Sequence, residues 1–365
     1  MRILLISTGA VPTPPLNAYG GIEWIVYWLA KALSRQGHDV AIMGLQGTIP
    51  PDEKVKVYIA LTEQEKYAEV LYRDRISKVV EDFKPELVND HSHTKATFDY
   101  FREKNIPFIP SSHTIGIPDL KVPNVCWTAL SKSHAKWLRQ HYGVEARVCY
   151  NGIDVEEDIK PIIDYKNKTG PLLFLGRPNP EKGALDVIDF CIKHNMPLDV
   201  VAGRLEVEQI GYALLVAQAC KEYSQQKYHG AVDYKTKFKF YSEAKALFFM
   251  PNWPEPFGLT PIEANWVGTP VITNDMGAMP ELVENGKTGF IIPTRKENDE
   301  PIYEFNRYGF KRVVWDEDEV LSAIDRLPTL NLDYIAKRTK DKFNIDNMAK
   351  QYLHVYENYI RGDRW

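Results

Sequence analysis

An α/β fold built from two parallel-sheet units is predicted by three observations. A strand–loop–helix–strand order opens the chain: an apolar strand at residues 3–6, a Pro/Gly-rich loop at 7–21, a periodic helix at 23–36 and a second strand at 40–43. The order begins again at residues 172–175, runs through a charged loop at 176–183 and an apolar helix at 184–194, and reaches a strand at 200–202. Between the two series, residues 159–170 are polar, charged and rich in turn residues, as a linker is. The 365 residues are enough for two domains with cores of their own.

Composition narrows the function. Hydrophobic residues make up 44% and charged residues 26%, as in an ordinary soluble globular protein. A formal net charge of -4 argues against a nucleic-acid binder. Residues 1–150 carry 18 Lys and Arg against 16 Asp and Glu, and the remainder 27 against 33, a mild asymmetry. Cys126, Cys149, Cys191 and Cys220 are too scattered for a disulfide framework or a close-spaced zinc motif. Free buried thiols in a reducing, cytoplasmic compartment are the expectation. The opening MRILLIS is too short for a signal peptide, and no apolar stretch approaches the roughly 18 residues of a spanning helix.

In the first series, Ile22, Ile25, Val26, Leu29, Ala32 and Leu33 give the helix its apolar face, and Gly37 ends it. Gly20-Gly21 at the helix entrance lets a ligand approach backbone N–H groups, which suits phosphate; the pair serves the loop's own turn equally well. No G-x-G-x-x-G follows the first strand, which argues against a dinucleotide fingerprint. A helix at 65–83 and a strand at 87–89 lead to Asp90-His91-Ser92-His93. A strand at 108–110 leads to Ser111-Ser112-His113-Thr114. These histidines can donate to sugar hydroxyls or phosphate, or exchange a proton near pH 7, although histidines in such loops are more often structural. No G-x-S-x-G elbow supports a nucleophilic triad, and His91 and His93 lack the partners of a zinc site. A strand at 125–130 precedes a helix at 132–141 that carries Lys132, Lys136 and Arg139 beside Trp137 and Leu138. That helix can face an anionic membrane or acceptor; a solvated helix docked through Trp137 is the favoured reading. A strand at 148–150 and the run Asn151-Gly152-Ile153-Asp154 close the series.

In the second series, the charged loop Gly176-Arg177-Pro178-Asn179-Pro180-Glu181-Lys182-Gly183 places two cations before a helix N-terminus. Cations and free N–H groups together can hold a diphosphate; pairing of the cations with Glu181 is the plainer alternative. The strand at 200–202 ends at Gly203-Arg204. Residues 221–241 are mixed and charged, a short helix is expected at 240–245, and a buried strand at 246–250 follows. Next comes PNWPEPFGLTPIEA, residues 251–264, with Glu255 in its loop and Glu263 in a helix start at 261–267. Acids beyond the C-terminal end of a parallel strand occupy the ligand crevice of an open α/β sheet, where they can orient ribose or sugar hydroxyls. An acid in a first helical turn is also favourable with no ligand. A strand at 271–273 leads to Gly277-Ala278, which can present backbone to a ligand, and a strand at 290–293 follows a turn at 286–289. Asp316 and Asp318 precede a helix at 319–327, where capping is the expected role, and helices at 333–343 and 347–359 end the chain.

From Glu255 to Glu263 the chain resembles the Glu-x7-Glu region of retaining glycosyltransferases of the GT-B class, which have two facing Rossmann-like domains with parallel sheets and a central cleft. It is most similar to glycosyltransferase family 4. The features that carry the resemblance fall in family order over nearly the whole chain: Gly20-Gly21-x-Glu23, the His113 loop, Ser131-Lys132, Asn151-Gly152-Ile153-Asp154, Gly176-Arg177 with Pro180-Glu181-Lys182-Gly183, Glu255-Pro256-Phe257-Gly258 through Glu263, Gly268-Thr269-Pro270-Val271 and Gly286-x-x-Gly289-Phe290.

The resemblance implies an acceptor-side domain at 1–158, a linker at 159–170, a nucleotide-sugar-binding domain at 171–345 and a terminal helix at 346–365 that crosses back to the first domain. It implies a nucleotide-diphosphate sugar donor, a UDP-sugar or GDP-sugar, and no other cofactor or metal. Arg177 and Lys182 would grip the diphosphate, Glu263 the ribose and Glu255 the transferred sugar. Backbone around Phe257, Gly258 and Leu259 would hold the sugar and distal phosphate. Gly20 and Gly21 would close against the phosphate, and His113 would lie near the sugar. His91 and His93 inherit no role, and Asn179 departs from the apolar residue usual at its position. The implied reaction is front-face transfer with retention, the diphosphate taking the acceptor's proton, so Glu255 is not a covalent nucleophile and the two acids are not a glycosidase pair. The sequence leaves the acceptor open, with a lipid acceptor at the inner face of a membrane among the expectations. An epimerase or phosphorylase of the same fold, a catalytically weak sugar-nucleotide-binding protein and a membrane-associated scaffold are the alternatives.

Overall fold

Most strands of this chain are apolar on both faces, as strands in the middle of a parallel sheet must be. The computed structural model describes residues 1–16, 20–118, 125–202 and 210–365. Gly203-Arg204, where the strand at 200–202 was expected to end, lies outside the described residues. The chain divides into two units, one containing Met1–Leu16, Gly20–Asp154 and Phe343–Trp365, the other Val155–Lys342.

The first unit runs β1 (Arg2–Ile6), α1 (Gly21–Arg35), β2 (Asp39–Leu45), β3 (Lys56–Leu61), α2 (Tyr72–Phe83), β4 (Leu87–Asp90), α3 (Phe98–Glu103), β5 (Phe108–Pro110), β6 (Trp127–Ala129), α4 (Lys132–Tyr142) and β7 (Ala146–Val148). Five strands make a parallel sheet in the order β3-β2-β1-β4-β5. The helix expected at 65–83 starts only at Tyr72. Two short 3-10 turns precede it, Glu63–Glu65 and Glu69–Leu71. Tyr67 has φ of 68°, which a continuous helix forbids, and the Glu65 carboxylate turns back onto the Thr62 N–H at 2.9 Å. In α4, Trp137 Nε1 donates to the Ile115 carbonyl at 3.0 Å and its ring stacks on His141 at 3.6 Å, so an aromatic anchor holds this helix while Lys132, Lys136 and Arg139 face solvent. The C-terminal helix, Ile345–Ile360, packs on α1 and buries Met348, Ala349, Tyr352, Val355 and Tyr356.

The second unit runs β8 (Leu172–Gly176), α5 (Ala184–Lys193), β9 (Leu198–Ala202), α6 (Ile210–Glu222), β10 (Gln226–Gly230), α7 (Tyr234–Glu243), β11 (Ala246–Phe249), α8 (Leu259–Trp266), β12 (Val271–Asn274), α9 (Met279–Leu282) and β13 (Gly289–Ile292). Its six-stranded parallel sheet has the order β10-β9-β8-β11-β12-β13. The short helix expected at 240–245 is in fact α7, which begins six residues earlier because Asp233 caps it, accepting from the Thr236 N–H at 2.9 Å. Two small hairpins follow, β14 (Lys296–Glu297) with β15 (Glu300–Pro301) and β16 (Tyr303–Phe305) with β17 (Lys311–Val313). Asn298 and Asp299 turn the first of them with φ of 50° and 66°, the pair of left-handed residues a two-residue hairpin loop needs. Helices α10 (Glu317–Arg326) and α11 (Leu332–Lys342) complete the unit, and Asp316 caps α10 by accepting from Asp318 and Glu319. Residues 159–170 are bonded to this unit: Lys168 Nζ, buried, donates to the Ser242 carbonyl at 2.7 Å and to Thr269 Oγ1 at 2.5 Å.

Candidate functional site

Each sheet reverses its strand order once, between β1 and β4 and between β8 and β11. Loops leaving the two strands beside such a point diverge, and a crevice opens at the carboxyl ends of the strands. In the second unit the loop after β8 supplies Arg177 and Lys182, and the loop after β11 supplies Glu255. Lys182 Nζ pairs with Glu255 Oε2, and Trp253 Nε1 donates to the same oxygen at 2.7 Å. The Trp253 ring lies 4.7 Å from the Lys182 ammonium. Lys182 and Glu255 are 7% and 6% exposed, so the pair is desolvated. Burial pulls the Lys182 pKa below its ordinary value, Glu255 opposes that shift, and the nearby Arg177 charge adds to it. Glu255 Oε1 has no hydrogen-bond partner among the described residues.

Backbone closure brings these loops together. Gly183 has φ of +75°, and a Cβ there would sit 2.1 Å from the Met250 carbonyl oxygen, so only glycine lets the end of one loop rest on the start of the other. Asn252 fastens the same junction: its N–H donates to the Glu181 carbonyl at 2.8 Å and its side-chain amide to Asp186 at 2.6 Å. Asn306 also donates to Asp186, at 2.8 Å, and the Asn252 side chain accepts from the Val313 N–H at 3.0 Å, which ties the hairpin β16–β17 to the site loops. Asn179 bonds Glu181 at 2.6 Å.

Phe257 is buried, and Gly258, with φ of +93°, opens α8 at Leu259. Because α8 starts at Leu259, Glu263 stands in its second turn, and favourable placement in a first turn does not account for this buried acid. Both of its oxygens are engaged, Oε1 by Lys237 Nζ at 2.8 Å and Oε2 by Tyr241 OH at 3.0 Å. The Ala278 N–H, expected to face a ligand beside Gly277, donates instead to the Glu255 carbonyl at 2.9 Å.

The first unit gathers a second set of groups at its own reversal point. Gly20 precedes α1, and a Cβ there would lie 2.6 Å from Glu23 Oε2, so this glycine makes room for a carboxylate of its own chain; Gly21 begins the helix. Glu23 is buried and accepts from Thr8 Oγ1; burial, only partly offset by that bond, pushes its pKa up to about 7. Glu69 is buried nearby, where burial alone would raise its pKa. Bonds from His93 at 3.0 Å and from the Gly9 and Thr94 N–H groups, each at 3.0 Å, bring it down to about 2. The same carboxylate raises the His93 pKa. His113 Nε2 and His91 Nδ1 are 2.8 Å apart, and burial holds both imidazoles neutral, His91 at about 3 and His113 well below the usual range. Sequence reasoning singled out Arg177, Lys182, Glu255, Glu263 and His113 but missed Asn252, Trp253, Lys237, Tyr241, Glu69 and Asn89, whose partners are remote in sequence or whose side chains carry no motif of their own. No cluster of three or more metal-ligating side chains occurs among the described residues.

Comparison with known proteins places these loops in context. Residues 155–302 match the family described as glycosyl transferases group 1, and residues 19–157 match glycosyltransferase family 4. Glycogen synthase of Mycobacterium tuberculosis is 25% identical over 79% of this chain and 81% of its own. A probable sucrose-phosphate synthase of Thermosipho melanesiensis is 26% identical over 53% of this chain and 43% of its own length. Among solved structures, sucrose-phosphate synthase from Thermosynechococcus elongatus matches with a TM-score of 0.76 at 16% identity, covering 99% of this chain and 100% of that one. HepE from Anabaena, solved in complex with UDP-glucose, matches with a TM-score of 0.67 at 16% identity, covering 98% of this chain and 100% of that one.

Proposed function

This chain is a glycosyltransferase of the family 4 type with a GT-B fold, and from that premise we propose that it transfers a sugar, with retention of configuration and without a metal, from a nucleotide-diphosphate donor to an acceptor hydroxyl. The observation that carries the reading is the buried Lys182–Glu255 pair at the strand-order reversal, beside Arg177 and the start of α8. Two cations and a helix N-terminus suit a diphosphate. An acid with one oxygen left to accept suits the hydroxyls of the transferred sugar. Glu263, steadied by Lys237 and Tyr241, takes the ribose hydroxyls. Backbone at Phe257, Gly258 and Leu259 lies against the sugar and distal phosphate. In the first unit, Gly20 and Gly21 suit a phosphate and His113 a sugar hydroxyl. A UDP-sugar or GDP-sugar is the donor; the UDP-glucose held by the Anabaena protein supports the first of these.

In this mechanism the bond from the anomeric carbon to the phosphate oxygen breaks while the acceptor oxygen bonds to the same face. The departing phosphate takes the acceptor's proton. Arg177 and Lys182 stabilise the charge that grows on the leaving group, a task fixed cations perform without reorganisation. Glu255 orients hydroxyls and forms no covalent intermediate. The buried free cysteines suit a reducing cytoplasmic setting, and exposed Lys132, Lys136 and Arg139 suit a lipid-borne acceptor at a membrane face. The test is a screen of UDP- and GDP-sugars against lipid, polysaccharide and small-molecule acceptors in EDTA, read by product mass and anomeric stereochemistry. A retained anomer in EDTA is expected; an inverted product or an absolute metal requirement would overturn the reading.

A further inference from the structure

A chain of hydrogen bonds in the first unit fixes which nitrogen of His113 carries its proton. It starts at Asn89, a fully buried residue of β4. The Asn89 Nδ2 group lies 2.8 Å from the Ile109 carbonyl and 2.9 Å from Ser111 Oγ. A carbonyl only accepts, so this end of the side chain must be the NH2 group and Oδ1 must point the other way. Oδ1 receives Tyr356 OH, from the C-terminal helix, at 2.6 Å, and meets His91 Nε2 at 2.8 Å. An amide oxygen cannot donate, so His91 carries its proton on Nε2. His91 has no solvent exposure. Its neighbour Lys95 is also buried, with Nζ donating to the Asp90 and Ser111 carbonyls at 2.9 and 3.0 Å and to the Ser92 carbonyl, and with the Asp90 carboxylate 3.8 Å away. A buried imidazole beside a buried ammonium stays neutral. His91 Nδ1 is therefore a lone pair, and the contact 2.8 Å away must be a donor: His113 Nε2–H. The other charged or titratable groups acting on His113 are Lys95, His93 and His134, none of which would stabilise an imidazolium.

We propose that Tyr356, Asn89 and His91 are positioning residues that hold His113 as the Nε2–H tautomer, so that His113 Nδ1 is a fixed hydrogen-bond acceptor for a substrate hydroxyl. Nδ1 has no partner among the described residues. A histidine in this state cannot donate to a phosphate or to a sugar oxygen. It accepts from an O–H group, which makes His113 selective for a ring carrying a hydroxyl at the facing position over its deoxy or O-methyl counterpart. That a site built around one hydroxyl rejects the analogue lacking it follows from the cost of leaving a buried polar atom unpaired. Only the identity of the hydroxyl, on a transferred sugar, rests on the proposed transferase activity.

The test begins without substrate. Long-range 1H–15N spectra of the full chain labelled with 15N-histidine distinguish the two neutral tautomers from imidazolium. From pH 6 to 8, His91 and His113 are both expected as Nε2–H forms; His113 seen as Nδ1–H or as imidazolium overturns the proposal, whatever the chain's activity. In Asn89→Asp, a carboxylate beside His91 favours its doubly protonated form, which donates to His113 and drives the His113 proton to Nδ1. That switch should lower kcat/KM for UDP-glucose or GDP-mannose turnover by about five- to tenfold, the loss of roughly one hydrogen bond. Affinity for UDP or GDP alone should not change. A switched tautomer with unchanged kcat/KM overturns the acceptor role. If the unaltered chain turns over neither sugar nucleotide, the transferase reading fails while the spectra still decide the tautomer.

Discussion

Lys182 is the residue at which the proposed donor binding and the stability of the fold depend on the same charge. Its ammonium is buried against Glu255, and Trp253 completes the contact. Removing the lysine strips a donor from the proposed diphosphate site and leaves Glu255 buried without its cation, so Lys182→Ala should fail in two measurable ways. Donor nucleotide affinity should drop by about 1.5–3 kcal/mol, the worth of a charged hydrogen bond. Thermal stability should also fall, by about 3 kcal/mol or more for an uncompensated buried carboxylate. The double variant Lys182→Ala/Glu255→Gln separates the two: neutralising the acid should recover stability but not affinity. Titration calorimetry with UDP and GDP, alongside thermal melts, reads both, and unchanged affinity in Lys182→Ala for the nucleotide the parent binds would reject the diphosphate role. At this scale the sequence is legible where a motif spells out the chemistry. Arg177, Lys182, Glu255 and Glu263 stand out because two cations precede a helix and two acids lie eight residues apart, one in a Pro/Gly-rich loop and one in the helix behind it. Lys237 and Tyr241 do not, because they reach Glu263 from 26 and 22 residues away, and only the fold brings them there.

Among the elements, the loop–helix junction at Gly183 is the most exacting. The backbone turns left-handed there and touches the Met250 carbonyl, so α5 begins where the loop after β11 begins. Gly183→Ala meets two obstacles: a left-handed backbone costs an L-residue about 1–2 kcal/mol, and the new methyl cannot occupy a point 2.1 Å from a carbonyl oxygen. The loops must separate, which moves Lys182 away from Glu255. The expected outcome is a loss of at least about 2 kcal/mol in urea unfolding together with weakened nucleotide binding. A variant with the parent's midpoint would show that the junction yields easily. The elements legible in sequence are those whose apolar runs are buried on both faces, such as β1, β8, β11 and β12. Two edge strands were missed: β10, QKYHG, keeps polar residues and lacks a continuous apolar run, whereas β3, KVYIAL, does have such a run and was passed over. The hairpins β14–β17 were missed because they are two- and three-residue strands, largely exposed, whose sequence signals are confined to the turns at Asn298-Asp299 and Asn306–Gly309.

For the molecule as a whole, the first unit is discontinuous: it needs the chain's last segment, Phe343–Trp365, after the complete second unit has been made. That segment is structural core. Its helix buries Ile345, Met348, Ala349, Tyr352, Val355 and Tyr356, and Tyr356 holds the Asn89 side chain on which the histidine chain is built. At about 1.5–3 kcal/mol for each large apolar side chain buried, the helix contributes on the order of 10 kcal/mol, as much as the whole net stability of a typical domain. The second unit, Val155–Lys342, does not include this segment. A chain ending at Lys342 should therefore split in behaviour. In native-state hydrogen exchange, amides of α1, β1 and β4 should lose most of their protection, and those of β8, β11 and β12 should keep theirs. Nucleotide binding through Lys182 should persist while sugar transfer is lost, because His113 no longer has the chain that orients it. Retained protection across α1 and β4 would show that the first unit is stable without its final helix. Loss of protection in both units together would show that they unfold as one.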